Sequence, residues 1–336
     1  MIMQPSPYLS LIENKQFLTI LETIKAMHGD VYDLLESAQV PDQLFDFGED
    51  SYLLTSRVVA FFQLLEQRVD NATLIKIVQI SAQKNVLQLI QQLPINNDIT
   101  LQQALQLFFD YNFRSSPQSN FFIKTLFNRQ FLCRETLFIN EKAMPVMELY
   151  LIALLEALVS ALCKINHRCQ SILLQSEKFK LCQQLSQNKQ LTIYTEQQYT
   201  AIELSEADLS TLMTTNIAPL ITLSNEQNSK KLRTIAGALY YVLPLYLSNG
   251  RPNIEFSAQL CGVSSRTLMR RLREEGYTYT GLLDVLIISL AKQYLQNPHY
   301  SITEVAFAVG YPYPNHFTRF FKKMEGMTPK QYRKNE

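Results

Sequence analysis

Between Ile254 and Arg333 one pattern occurs twice, and no other stretch restricts the fold so tightly. The first copy, IEFSAQLCGVSSRTLMRRLREEG, runs from Ile254 to Gly276. Its Phe256, Leu260 and Val263 predict a short helix with one packed face, Gly262 a turn, and Ser264 or Ser265 the cap of a second helix. That second helix spans about Arg266 to Arg273. Leu268 and Leu272, four apart, share the face that packs, and Arg266, Arg270, Arg271 and Arg273 lie on or beside the exposed one. The second copy, SITEVAFAVGYPYPNHFTRFFKK, runs from a cap at Ser301 through Val305, Ala306 and Val309 to a turn at Gly310. Beyond the turn Phe317, Phe320 and Phe321 supply packing, while His316, Thr318, Arg319, Lys322 and Lys323 supply polar reach. Two helix-turn-helix units therefore stand in tandem on one chain.

Between the two copies, Thr280 to Gln296 reads as one helix of roughly 25 Å, ended by Asn297 and Pro298. Charge follows the same division. The chain of 336 residues carries a formal net charge of only +1. From Arg251 to Glu336 there are 12 Lys+Arg against 7 Asp+Glu, a net of 12 − 7 = +5, and the remainder has 19 − 23 = −4. The cationic part is the part with the doubled motif, as phosphate binding requires.

SSRTLMRRLREEG in the first unit, with SITEVAFAVGY and NHFTRFFKKMEGMTPKQYR in the second, resembles the AraC/XylS family of bacterial transcription regulators over about the last 85 residues. The resemblance implies that each second helix enters a major groove, on successive turns of one face of double-stranded DNA about 34 Å apart. It also implies a cytoplasmic regulator that acts as an activator with RNA polymerase as a partner. One departure is visible: where the family often carries Arg in the connecting helix, this chain has Ile287 followed by Ile288.

Base readout is expected from Arg266, Met269 and Arg270 in the first unit and from Asn315, His316 and Arg319 in the second. A guanidinium can place two donors on guanine, whereas Met269 can only touch an apolar edge such as a thymine methyl. Phosphate contacts, which position without reading sequence, are expected from Ser264, Arg271, Arg273, Thr318, Lys322 and Lys323. Surface roles for Arg266, Arg270 and His316 stay open at this point. Arg333 and Lys334 read as solvated charge.

The expected fold is mainly α. An N-terminal α+β domain of helices plus a small antiparallel sheet (1–225) is followed by a connecting helix and linker (226–251) and an all-α tandem helix-turn-helix domain (252–336). Apolar residues at helical spacing predict helices over Phe17 to Met27, Val31 to Val40, Asp50 to Val69, Ala72 to Leu93 and from Thr100 to Phe109. No strand pattern is clear in this first third. NFFIKTLF, LCRETLFI, QSILLQS and YTAIEL then read as short strands, Val146 to Ile165 as an apolar helix packed on them, and Glu177 to Gln187 as a further helix.

This half resembles, loosely, the effector domain of one branch of AraC-type regulators, called the arabinose-binding type. The resemblance implies a partner, either a small-molecule effector or, in a ligand-free dimerisation module, a second copy of the chain. Phe61, Phe62, Phe108, Phe109, Phe121 and Phe122 are candidates for a ligand pocket or for plain core.

Other classes find little support. Nine glycines include no phosphate loop, dinucleotide turn or nucleophile elbow, so no catalytic residue and no cofactor is expected. Cys163, His167 and Cys169 lack a fourth ligand at suitable spacing, so no metal is expected. Five irregularly spaced cysteines argue against a disulfide framework and for a reducing compartment. The N-terminus lacks a basic start followed by an apolar run. Glu148 and Glu156 interrupt the most apolar stretch, and no membrane partner is expected. Salt bridges or a solvent face account for these two carboxylates more simply than acid-base chemistry does.

Overall fold

The computed structural model describes residues 11–45, 51–91, 93, 99–115, 119–136, 145–177, 191–212 and 234–335. From Ile12 onward the chain packs as two compact units: Ile12–Val40 with Thr55–Ser229, and Pro41–Leu54 with Lys230–Glu336. The expected helix over 177–187 falls almost wholly outside the described residues.

After a short strand β1 (Leu11–Glu13), α1 (Asn14–His28) buries Phe17, Ile20, Leu21 and Ile24 and stops at Gly29, whose φ is 92°. The helix α2 (Tyr32–Ser37) follows. The helix expected from Asp50 begins later, because Tyr52–Leu54 form a strand, β2, and α3 covers Thr55–Arg68. The helix α4 (Asn71–Ile90) is capped by Asp70, whose carboxylate accepts from the N–H groups of Ala72 (2.9 Å) and Thr73 (3.0 Å). Thr100 accepts from the N–H of Gln103 at the start of α5 (Leu101–Ser115). Both Phe61 and Phe62 are fully buried, so α3 is packed on two sides, and Phe108 and Phe121 meet edge to face in the core. The core reading of these rings is the one that holds.

The sheet consists of β3 (Ser119–Leu126), β4 (Arg129–Thr136), β5 (Ser171–Leu173), β6 (Thr192–Tyr194) and β7 (Thr200–Leu204), in the spatial order β3-β4-β7-β5-β6. Its pairings are antiparallel except that β6 adds to β5 in parallel. The β3–β4 hairpin turns on Phe127 and Asn128, both at positive φ (52° and 58°), the conformation that matches the twist of the flanking strands.

Between β4 and β5 runs α6 (Pro145–Cys163), long and apolar enough by composition to cross a membrane, with 61% of its most apolar window buried within the protein. Its Glu148, 6% exposed, accepts from the backbone N–H groups of Gln175 (2.6 Å) and Ser176 (3.2 Å), and from the hydroxyls of Ser176 and Thr200. Neither a salt bridge nor a solvent face describes this carboxylate: it ties α6 to the sheet. Glu156 does meet a cation, Arg168, at 3.9 Å, while its other oxygen accepts from the N–H and thiol of Cys169. The first unit then continues into α7 (Glu206–Ser210), opened by a reciprocal Ser205–Asp208 capping box.

In the second unit, α8 (Ile235–Val242) passes into a 3-10 turn, Leu243–Asn249, within the connecting helix and linker expected over 226–251. Then come α9 (Ile254–Leu260), α10 (Ser265–Glu274), α11 (Tyr279–Gln296), α12 (Ile302–Ala308), α13 (Pro314–Glu325) and α14 (Pro329–Asn335).

Candidate nucleic-acid interface

The two candidate reading helices, α10 and α13, are built alike. In α10, Leu268 and Leu272 are fully buried, and the cap is Ser264, whose hydroxyl accepts from the N–H of Thr267 at 3.2 Å. In α13, Phe317 and Phe321 are fully buried at the same four-residue spacing. Each short first helix ends in a glycine turn, Gly262 at φ 65° and Gly310 at φ 85°. Gly310 is also crowded, since a Cβ there would lie 3.0 Å from the Leu247 carbonyl oxygen and 3.2 Å from the Arg251 nitrogen.

Opposite the leucines, Arg266, Met269, Arg270 and Arg273 share one exposed face at i, i+3, i+4 and i+7. Arg271 is half-buried, on the side of Leu268 and Leu272, and stands apart from that face. On α13 the exposed polar set is Asn315, His316, Arg319, Lys322 and Lys323, with Met324 exposed as well. Thr318 is half-buried, and its hydroxyl donates to the Pro314 carbonyl at 3.0 Å, so a phosphate contact would require that bond to be exchanged. Arg270 pairs with Glu274 at 2.9 Å, with both side chains more than half exposed.

Residues 257–335 match the family model of a helix-turn-helix domain. The same region is 35% identical over 82 residues to an ornithine utilization regulator of Pseudomonas aeruginosa, and 39% identical over 80 residues to the HTH-type transcriptional regulator GlxA of Rhizobium meliloti. The C-terminal unit carries an AraC-type helix-turn-helix domain. Each of these alignments spans 24% of the relative, and 24% and 23% of this chain respectively. Among solved structures, the chain is similar to the transcriptional regulator CdpR of Pseudomonas aeruginosa, at 16% identity over 96% of this chain and 98% of that one, with a TM-score of 0.38. It is also similar to the DNA-binding domain of AdpA solved in complex with a target DNA, at 26% identity over 28% of this chain and 84% of that one, with a TM-score of 0.26.

Within the AraC-type domain, α11 has 18 residues, roughly 27 Å of helix. Ile287 is fully buried and Ile288 is 7% exposed, so these two residues strengthen the packing of α11. The Tyr279 hydroxyl donates to the Pro252 carbonyl at 2.7 Å and lies 2.7 Å from the Ser257 hydroxyl, fixing the start of α11 to α9. Burial is the first cause that raises its pKa above the tyrosine norm. Arg251 bonds Asp284 at 2.6 Å and Tyr311 at 2.7 Å, and its guanidinium stands over the rings of Tyr311 and Phe320.

Three residues depart from the sequence reading. Arg333 is not simply solvated, because its Nε donates to the Leu295 carbonyl at 3.1 Å near the end of α11. Tyr313, 63% exposed and edge-on to His316, stands at the start of α13 among the candidate readers. Glu275, just past α10, accepts from the N–H groups of Ile235 and Ala236 at 2.8 Å each and so caps α8. An exposed aromatic beside a proline could have flagged Tyr313. Nothing local flags Glu275, whose partners are 40 and 39 residues away.

Of the cysteines and histidine weighed as metal ligands, His167 and Cys169 have other partners. His167 Nε2 lies 3.6 Å from Asp208, and the thiol of Cys169 donates to Glu156. Burial pushes the Cys163 thiol up to about 11 and that of Cys169 higher still. Cys133, Cys163 and Cys169 are buried thiols outside any disulfide.

Proposed function

We propose that the protein is a cytoplasmic, sequence-specific DNA-binding transcription regulator, an activator that works with RNA polymerase. Its domains are 1–225, 226–251 and 252–336, with control vested in the N-terminal one through a small-molecule effector or a dimer contact. The observation that carries this reading is the matched construction of α10 and α13, each with an apolar pair holding it down and an exposed face of basic and amide side chains. Arg266, Met269, Arg270, Asn315, His316 and Arg319 read bases in two successive major grooves. Ser264, Arg271, Arg273, Thr318, Lys322 and Lys323 hold phosphates. An effector controls the protein only if it binds one arrangement of the domains better than another.

Selection from a pool of random duplexes tests the reading. The expected product is a bipartite site with halves about one helical turn apart. On that site Arg270→Ala weakens binding by about 1 to 3 kcal/mol and relaxes one base position, whereas Lys323→Ala weakens all sequences alike and flattens the salt dependence. A pool that returns no enriched sequence, or two variants with the same uniform effect, overturns it.

A further inference from the structure

In the first unit, α4 and α6 lie side by side, and over one stretch their surfaces do not interlock. Ala153, Ala157 and Ala161 recur every four residues along α6 and put only methyl groups where large side chains would fill the space. A cleft of about 380 Å³ is left, within the size range of small-molecule sites. None of the phenylalanines weighed as pocket residues lines it.

The chemistry of the walls is specific. Gln79 and Gln83 stand four apart on α4, and Asn166 follows α6. All three line the cleft, and none of these amides makes a hydrogen bond among the described residues. Ser160 accepts from the backbone N–H of His167 at 3.1 Å, which leaves its own proton to donate. His167 is 7% exposed, with Nε2 3.6 Å from the Asp208 carboxylate. Its Nδ1 is buried without a hydrogen-bond partner. The two charges on the wall, Glu156 and Arg168, face each other at 3.9 Å and largely cancel, so an ion entering would lose its hydration without a counter-charge. Val86 and Leu87, the latter 59% exposed, complete an apolar flank.

We propose that this cleft is a ligand site, and that it takes a small uncharged molecule with hydroxyl or amide groups on an apolar ring. The ring lies on the alanine stripe and the polar groups meet the amides of Gln79, Gln83 and Asn166. The inference rests on the reading that the first unit senses a small molecule and names where it does so.

The test uses the full chain, titrated calorimetrically and by thermal shift with salicylamide, nicotinamide and catechol, and with the charged salicylate and benzamidine as controls. At least one neutral probe is expected to bind and raise the melting temperature, and both charged probes are expected to bind at least tenfold more weakly. Ala157→Phe, which fills the cleft, is expected to abolish the neutral probe's effect. Gln83→Leu, on an exposed position that leaves the fold intact, is expected to raise its Kd about tenfold, as loss of one hydrogen bond does. If no neutral probe binds, if charged probes bind equally well, or if the affinity is unchanged in Gln83→Leu, the proposal is wrong. DNA binding of the same wild-type sample, on the duplex enriched from the random pool, separates the two readings. Intact DNA binding with a failed cleft test removes only the ligand site, whereas absent DNA binding removes the regulator reading and leaves the cleft result standing.

Discussion

Arg270 and Glu274 face each other across one turn of α10, and under the proposed function that contact sets the state from which a base reader would start. A pair this exposed is worth a few tenths of a kcal/mol and is screened by salt, so DNA can exchange it. Glu274→Gln therefore frees the guanidinium and removes a negative charge from the docking face. The expected outcome is DNA affinity raised about three-fold at low salt, with the gain shrinking as salt is added, measured by fluorescence anisotropy. Glu148 is the opposite case, a buried carboxylate with four donors around it. Glu148→Gln turns one acceptor into a donor against those donors and is expected to cost about 3 kcal/mol, read from urea denaturation. The identity and face of Arg270 were legible from spacing alone. The role of Glu148 was not, because nothing within four residues tells a helix carboxylate which strand will lie across it.

Helix ends were legible where the signal is local. Ser264, Ser301 and Thr100 cap the helices they were expected to cap, and Gly262 and Gly310 turn the chain where glycine stood between two apolar runs. The Ser301 backbone N–H holds the Glu304 carboxyl below the usual glutamate range, so the reciprocal cap is complete at neutral pH and loses its carboxylate half only as pH falls through that depressed value. Gly310 bears both a left-handed backbone and a close approach by two backbone atoms. Gly310→Ala is expected to destabilise the second unit by about 2 kcal/mol, seen as a lowered melting temperature with α13 losing protection first in hydrogen exchange. Three-residue strands such as β2 and β6 escaped the sequence reading because so short a run has no period to detect; each exists through its neighbours. The 3-10 turn after Val242 escaped it for a different reason. Apolar residues continue through Leu247, so periodicity alone carries the helix past Pro244, whose missing N–H ends the α-helical bonding.

At the scale of the molecule, the chain's membership in its two compact units is not a simple cut. Residues 41–54 belong to the second unit although about 175 residues separate them from Lys230–Glu336. Tyr52 meets Tyr241 of α8 edge to face with centroids 5.6 Å apart. Tyr52→Ala is expected to remove about 1 kcal/mol from that unit, read as about a five-fold loss of exchange protection in α8 with α6 unchanged. Composition could not reveal this, since a stretch of fourteen residues with ordinary content carries no mark of the part it joins. The consequence reaches protein engineering. A hybrid that grafts 230–336 onto a foreign sensor would keep α10 and α13 yet leave behind a buttress encoded near the amino terminus, so under the proposed function a transplanted reader would be expected to work best when that early segment travels with it.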